Sequence, residues 1–417
     1  MSDAILAIES SPYSAFRYCR CGSNLTQVQR TTAQKENYVK VRPNKAALDR
    51  LITEKMLDAL VCMSPENFTY MAGVHVTTVE NLRPRQAFVI LKSDGTSELV
   101  VCSIEESLVR SESWVKAVTL YTEFKDDPVH ALAAVLKSHA LDRGLIGMDL
   151  DYLPVSSYLR LTTALPDLKF VNTTEDVAAV RSVKLPSEID ILERAARQTH
   201  QAVLEGISEG NVGDTERALA NRIIKKVFDA GANGTLHVHL ASGERTPHIH
   251  NHPGDDATKP GEILRLDVGG LYGAYMSDFA RTFSTGSPSK LQRDTYRKLC
   301  EVQEITIAAM KPGVKAEDIF FLCKSEFERR GLPCTLPHIG HSFGVEVHES
   351  PMIRPGDKTE LAPGMVINIE PMTVDEEGSC YHTEDLVLIT PEGNRILTLG
   401  LAPKEIPILG EPVLQQA

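Results

Sequence analysis

Three stretches of this sequence have the make-up of buried β-strands, yet each carries a carboxylate inside it or at its edge. Residues 262–268 form an apolar run interrupted by Asp267, and residues 363–371 form a turn and strand closing on Glu370. Residues 385–389 form another apolar strand that opens directly behind Glu384. A turn containing Gly269, Gly270 and Gly273 returns the chain through Tyr275-Met276-Ser277-Asp278, so two joined strands bring Asp267 and Asp278 side by side. Buried carboxylates without compensation are costly, because each charge raises the pKa of the next. A metal ion removes that penalty. Ahead of Glu370 and Glu384 stands the segment 338–351, with His341 in a Gly-His-Ser-Phe-Gly context. Four carboxylates and one imidazole are a ligand set suited to two divalent ions about 3.5 Å apart. Any one of these residues alone reads as a strand-end cap or an exposed histidine. The set does not, because sheet cores seldom hold several acids.

The chain has 417 residues, more than one hydrophobic core usually serves, so two domains are expected. Residues 1–37 are polar and aperiodic and read as a loosely ordered lead-in. A helical pattern covers 45–60, and strands follow at 86–91 and 98–102 around a turn at 92–95. A helix over 128–141 and a strand over 145–149 complete an α/β unit, giving a first domain over 38–180 and a second over 181–417. Pro186 opens a periodic helix carrying Ile189, Leu192, Ala196, Val203 and Ile207. Within the second domain, a helix over 214–230 ending at Gly231 and one over 316–330 ending at Gly331 mark a faint internal duplication.

A net charge of −12 argues against nucleic-acid partners and anionic membranes. No stretch approaches the roughly 20 apolar residues of a membrane span, and the N-terminus lacks signal-peptide character, so a cytoplasmic protein is expected. Eight scattered cysteines read as reduced thiols, Cys19 and Cys21 included.

At these residues the chain resembles the pita-bread metallopeptidases: methionine aminopeptidase, aminopeptidase P and Xaa-Pro dipeptidase. An Asp on one strand, a second Asp in Tyr-x-Ser-Asp, a Gly-His-x-x-Gly histidine, a Glu-Pro glutamate and a final strand-opening Glu occur here in the family's order. The resemblance implies an α/β two-domain architecture, with an N-terminal creatinase-like α/β domain and a C-terminal pita-bread α+β domain with internal pseudo-duplication. It also implies that Asp267, Asp278, His341, Glu370 and Glu384 hold two divalent ions, with Asp278 and Glu384 bridging. Manganese is the expected metal, and Co²⁺, Zn²⁺ or Fe²⁺ also suit the set. Glu370 would further act as general base in attack by a metal-bridging hydroxide. Two non-ligand histidines would flank the scissile bond. His348, seven residues after His341, matches one, and His250, seventeen before Asp267, is preferred to His248 and His252 for the other. The substrate would be a small Xaa-Pro dipeptide or an N-terminal Xaa-Pro bond, with Arg354 or Lys358 as readers of its carboxylate. The expected assembly is a homodimer.

One departure bears on substrate. Prolidase-like relatives carry an arginine two residues before the last glutamate, and this chain has His382. Histidine is neither a permanent charge nor a forked donor. The alternatives are therefore the same fold acting on a small non-peptide C–N compound, in the manner of creatinase or ectoine hydrolase, or a relative that binds without catalysis.

Overall fold

The computed structural model describes residues 42–334 and 336–413. The lead-in expected over 1–37, with Cys19 and Cys21, lies outside them.

The first half of the chain builds a six-stranded mixed sheet from β1 (Ala59–Cys62), β2 (Phe88–Lys92), β3 (Ser97–Cys102), β4 (Ala117–Tyr121), β5 (Leu145–Met148) and β6 (Lys169–Asn172), ordered β4-β3-β2-β1-β5-β6. The central strand β1 is buried throughout, which explains why it reads as a continuous apolar run rather than an alternating one. The expected helix over 45–60 ends at Glu54 instead. Met56 takes a φ of 53°, and the apolar residues that follow enter the sheet, where burial on both faces outweighs helical periodicity. Asn44 caps that helix through Ala47 N–H, and Asp127 caps the Pro128–Ser138 helix.

A 23-residue helix, Pro186–Ser208, opens the second half with Pro186 in its first turn, where no N–H is missed. Its residues Ile191, Leu192 and Ala196 share one hydrophobic core with Leu48, Leu51 and Leu60 of the first half and Tyr275, Phe343 and Val366 of the second. The two halves are therefore packed through apolar side chains and not merely tethered.

The second half repeats a pattern. The Glu216–Asp229 helix precedes a sheet of β7 (Gly234–Ser242), β8 (Ile263–Tyr272), β9 (Tyr275–Ser277) and β10 (Ala280–Ser284), ordered β10-β8-β7 with β9 on β8. The Ala316–Arg330 helix precedes a sheet of β11 (Gly340–Ser342), β12 (Glu349–Met352), β13 (Val366–Ile369), β16 (Asp385–Thr390) and β17 (Gly393–Ile396), ordered β12-β11-β13-β16-β17. The ribbon β14 (Met372–Val374) with β15 (Cys380–His382) lies between β13 and β16 in sequence. The duplication is visible in detail: Thr215 bridges Ala257 ahead of β8, and Lys315 bridges Glu360 ahead of β13. The first of these sheets is tied to the ribbon where Thr282 of β10 accepts from His382 N–H at 2.8 Å and donates to His382 C=O at 2.9 Å. Among the described residues no helix is long and apolar enough to cross a membrane.

Candidate metal centre

Sheet register gathers the acids. Asp267 lies within β8, opposite Ala280 of β10, and Val268 N–H donates to Phe279 C=O at 3.0 Å, which sets Asp278 beside Asp267. In the other sheet Ile369 pairs with Asp385, so Glu370 leaves β13 next to Glu384 entering β16. His341 on β11 sits across from Asn368, and Glu370 N–H donates to Ile339 C=O at 2.9 Å.

Asp278 stands between two groups of donors. Its Oδ1 is 3.1 Å from His237 Nε2, which also lies 2.6 Å from Asp267 Oδ1. Its Oδ2 is 3.9 Å from His341 Nε2, which in turn lies 3.4 Å from Glu370 Oε1. His341 and Glu384 are each 1% exposed. Oδ1 of Asp278, Oε1 of Glu370 and Oε1 of Glu384 are buried and make no hydrogen bond. Such atoms are expensive unless a cation meets them.

The electrostatics agree. Burial, then Asp278, Asp267 and Glu370, push the Glu384 carboxyl well above the usual range. Burial also raises Asp278. Burial opposes the Glu370 charge, but His338 and His382 hold its carboxyl well below the ordinary value. Four carboxylates of such different affinity for protons, packed together, fit divalent cations by donor type: oxygen from the acids and nitrogen from His341.

His348 follows the site on β12's approach, its ring tilted against that of His341 at 4.3 Å. Burial and the neighbouring His341 lower it to about 4, so it is neutral at ordinary pH. His250 stands in a turn, 5.3 Å ring to ring from His239 of β7, which stacks on His237 at 5.2 Å. His248, His250, His252 and His348 are all exposed, as are Arg354 and Lys358. The loop of His250 is held by Arg265, a fully buried residue of β8 that donates to the carbonyls of Thr246 at 2.9 Å, His248 at 3.0 Å and Ile249 at 2.7 Å.

His237, His239 and His338 join the site although sequence patterning did not single them out. His338 Nδ1 is 3.4 Å from Glu370 Oε1. His237 belongs with Asp267 and Asp278, their ligand atoms lying within 4.8 Å of one another. The available signal was alternation in β7, where Thr235, His237 and His239 fall at every second position.

An α/β half joined to an α+β half, with carboxylates and imidazoles converging between two antiparallel sheets of the latter, defines a metal-dependent hydrolase of the peptidase kind. Residues 190–391 match the model of metallopeptidase family M24, and residues 45–183 match the creatinase/prolidase N-terminal domain. The uncharacterized peptidase YqhT of Bacillus subtilis is 30% identical over 67% of this chain and 79% of its own. The Xaa-Pro dipeptidase of Pyrococcus furiosus is 28% identical over 85% of this chain and 98% of its own. Among solved structures, dipeptidase PepE from Mycobacterium ulcerans superposes with a TM-score of 0.76 at 26% identity, covering 88% of this chain and 96% of that one. X-Pro aminopeptidase from Thermotoga maritima shares the fold, with a TM-score of 0.78 at 22% identity, covering 88% of this chain and all of that one. This chain belongs to metallopeptidase family M24. It is a peptidase-like hydrolase, and its family implies divalent metal ions.

Proposed function

We propose that this protein hydrolyses Xaa-Pro dipeptides, or the N-terminal Xaa-Pro bond of short peptides, at a centre of two divalent ions held by Asp267, Asp278, His341, Glu370 and Glu384. The observation that carries the reading is Asp278, one oxygen turned to the Asp267 group and the other to the His341 group. The bound cations supply Lewis acidity toward the scissile carbonyl and make water nucleophilic near neutral pH.

The chain's own groups do the rest. Glu370, held ionised, takes the proton of the attacking water as its oxygen bonds to the carbonyl carbon. The same proton passes to the leaving nitrogen as the C–N bond breaks. His348, neutral and exposed at the site beside His341, offers an N–H to charge growing on the carbonyl oxygen. His250, exposed in its turn beside His239, is the group assigned to orient the leaving amine. The domains run 38–180 and 181–417, and a homodimer in the cytoplasm is the assembly and location we assign.

His382 favours a second reading, a small non-peptide C–N substrate. Its imidazole is 1% exposed, lies 3.6 Å from Glu370 Oε2, and stands where an arginine fork would serve a peptide. One panel decides between them: Xaa-Pro dipeptides, longer Xaa-Pro peptides and small cyclic amidines assayed with Mn²⁺. Turnover of Xaa-Pro substrates, lost in Asp278→Ala together with bound metal, is the result expected. Amidine turnover without peptide turnover selects the second reading. Metal content and rates unchanged in Asp278→Ala would end both.

A further inference from the structure

We infer that His237 is a sixth protein ligand of the metal centre, giving the Asp267 position a nitrogen donor of its own. This inference rests on the metal-centre reading above and extends it.

The seat of the ring is built for it. β7 and β8 are antiparallel neighbours, and their register shifts between Thr235 and His237, where a bulge breaks the ladder. Bulges re-aim side chains, and this one follows the strand into the site. His237 then pairs with Gly269, and its side chain reaches diagonally to Asp267, two residues along β8. Gly269 leaves room for the ring and for the neighbouring strand: a Cβ there would meet His237 Cε1 at 2.8 Å, the Ser277 carbonyl oxygen at 2.9 Å and His237 Nδ1 at 3.0 Å. His239 stacks on the His237 ring at 5.2 Å with the planes 13° apart, so a second ring and the backbone at Gly269 both restrain the imidazole. The restrained Nε2 lies 2.6 Å from Asp267 Oδ1 and 3.1 Å from Asp278 Oδ1. Those are the oxygens that a cation at this position would share. His237, Asp267 and Asp278, with their ligand atoms within 4.8 Å of one another, would hold that cation between them.

The consequence is metal choice. Five ligands with one imidazole make an oxygen-rich shell suited to manganese. A second imidazole moves the Asp267 position toward Fe²⁺, Co²⁺ and Zn²⁺, which prefer nitrogen more strongly.

The test uses the full-length protein loaded with Mn²⁺ or Co²⁺, and His237→Phe beside it, folding of both being checked by circular dichroism. Pulsed EPR of the Mn²⁺ form counts coordinated imidazole nitrogens, and equilibrium dialysis gives metal stoichiometry and affinity. The expected result is one imidazole fewer in His237→Phe, with affinity at one of the two positions down by about 100-fold, since even outer partners of a ligand are worth 10–100-fold. In the wild type, Co²⁺ should displace Mn²⁺ at that position first, and this preference should vanish in the variant. An unchanged imidazole count and affinity in folded His237→Phe overturns the inference while leaving the hydrolase reading intact. Should the variant not fold, the wild type answers alone: a single coordinated imidazole overturns the inference, and two or more with preferential Co²⁺ uptake at one position uphold it. A wild type that binds no divalent ion overturns the metal-centre reading itself.

Discussion

Lys184 Nζ stands 2.9 Å from Glu349 Oε2, both side chains 1% exposed, and this pair joins the segment between the two halves of the molecule to the residue after His348. Lys184 also donates to Ser342 Oγ at 2.9 Å, one residue past His341, and Arg181 Nε lies 3.9 Å from the other Glu349 oxygen. Burial works against the Glu349 charge, yet Lys184 and Arg181 hold its carboxyl below the usual value. Breaking a buried pair leaves an uncompensated charge, which costs about 3–5 kcal/mol. Lys184→Met is expected to lose stability of that order in urea unfolding. Replacing both residues with apolar ones of similar volume should cost far less.

The same pair fixes a pH dependence. A glutamate depressed in the folded state contributes stability that is fully present above its unfolded pKa of about 4.3 and lost as pH falls through the folded value. The stability difference between wild type and Glu349→Gln should therefore be constant above about pH 5 and shrink below about pH 4. A difference that grew on acidification would contradict the assignment.

Arg265 is expected to act on catalysis without touching substrate. Its guanidinium satisfies three carbonyls of the loop bearing His250 and lies 3.3 Å from Asn251 Oδ1. In Arg265→Met all three carbonyls lose their donor, and the buried one of Thr246 costs about 1–3 kcal/mol if left unsatisfied. Hydrogen exchange over residues 246–251 should quicken, and kcat should fall more than KM rises, because His250 is no longer held in place. Protection of the loop unchanged from wild type would refute this.

Chelation tests the compensation of buried charge. With the cations removed, Asp267, Asp278, Glu370 and Glu384 share one pocket, and burial with like charges already raises Asp278 and Glu384. EDTA treatment should lower Tm and re-addition of Mn²⁺ should restore it. Saturation at 100 times Kd corresponds to about 2.7 kcal/mol. Calorimetry showing identical melting with and without chelator would count against a metal centre here.

The candidate site was legible where chemistry contradicts burial. Asp267 interrupts an apolar strand, Glu370 and Glu384 stand at the ends of two others, and a buried acid demands a partner wherever it occurs. His237 and His338 were not legible by that rule. A histidine at an alternating position of a half-buried strand is ordinary, and only the register shift beside Thr235, which arises from pairing with β8, turns His237 onto Asp267. His338 gains its place from the approach of β11 to the end of β13, a tertiary relationship without local signature. The helix expected to reach residue 60 failed for a related reason: whether Ala59–Cys62 continues a helix or fills a sheet depends on β2 and β5, both distant in sequence.

Substrate choice turns on His382. Its backbone is fixed by the two hydrogen bonds with Thr282, and it pairs with Met372 across the β14–β15 ribbon, so substitution alters the side chain in a constant frame. Both ring nitrogens are buried without a hydrogen bond, and Nε2 lies 3.6 Å from Glu370 Oε2. Arginine at this place brings a permanent charge and a forked donor that imidazole lacks. Its extra volume should cost about 1–3 kcal/mol of stability, because the side chain it replaces is buried. A charge-assisted hydrogen bond contributes about 1.5–3 kcal/mol, enough for a tenfold change in rate. His382→Arg is therefore expected to lower Tm while raising, by about tenfold, the ratio of kcat/KM for Xaa-Pro dipeptides to that for dipeptides lacking proline. A ratio equal to that of the wild type would show that His382 has no part in choosing the substrate.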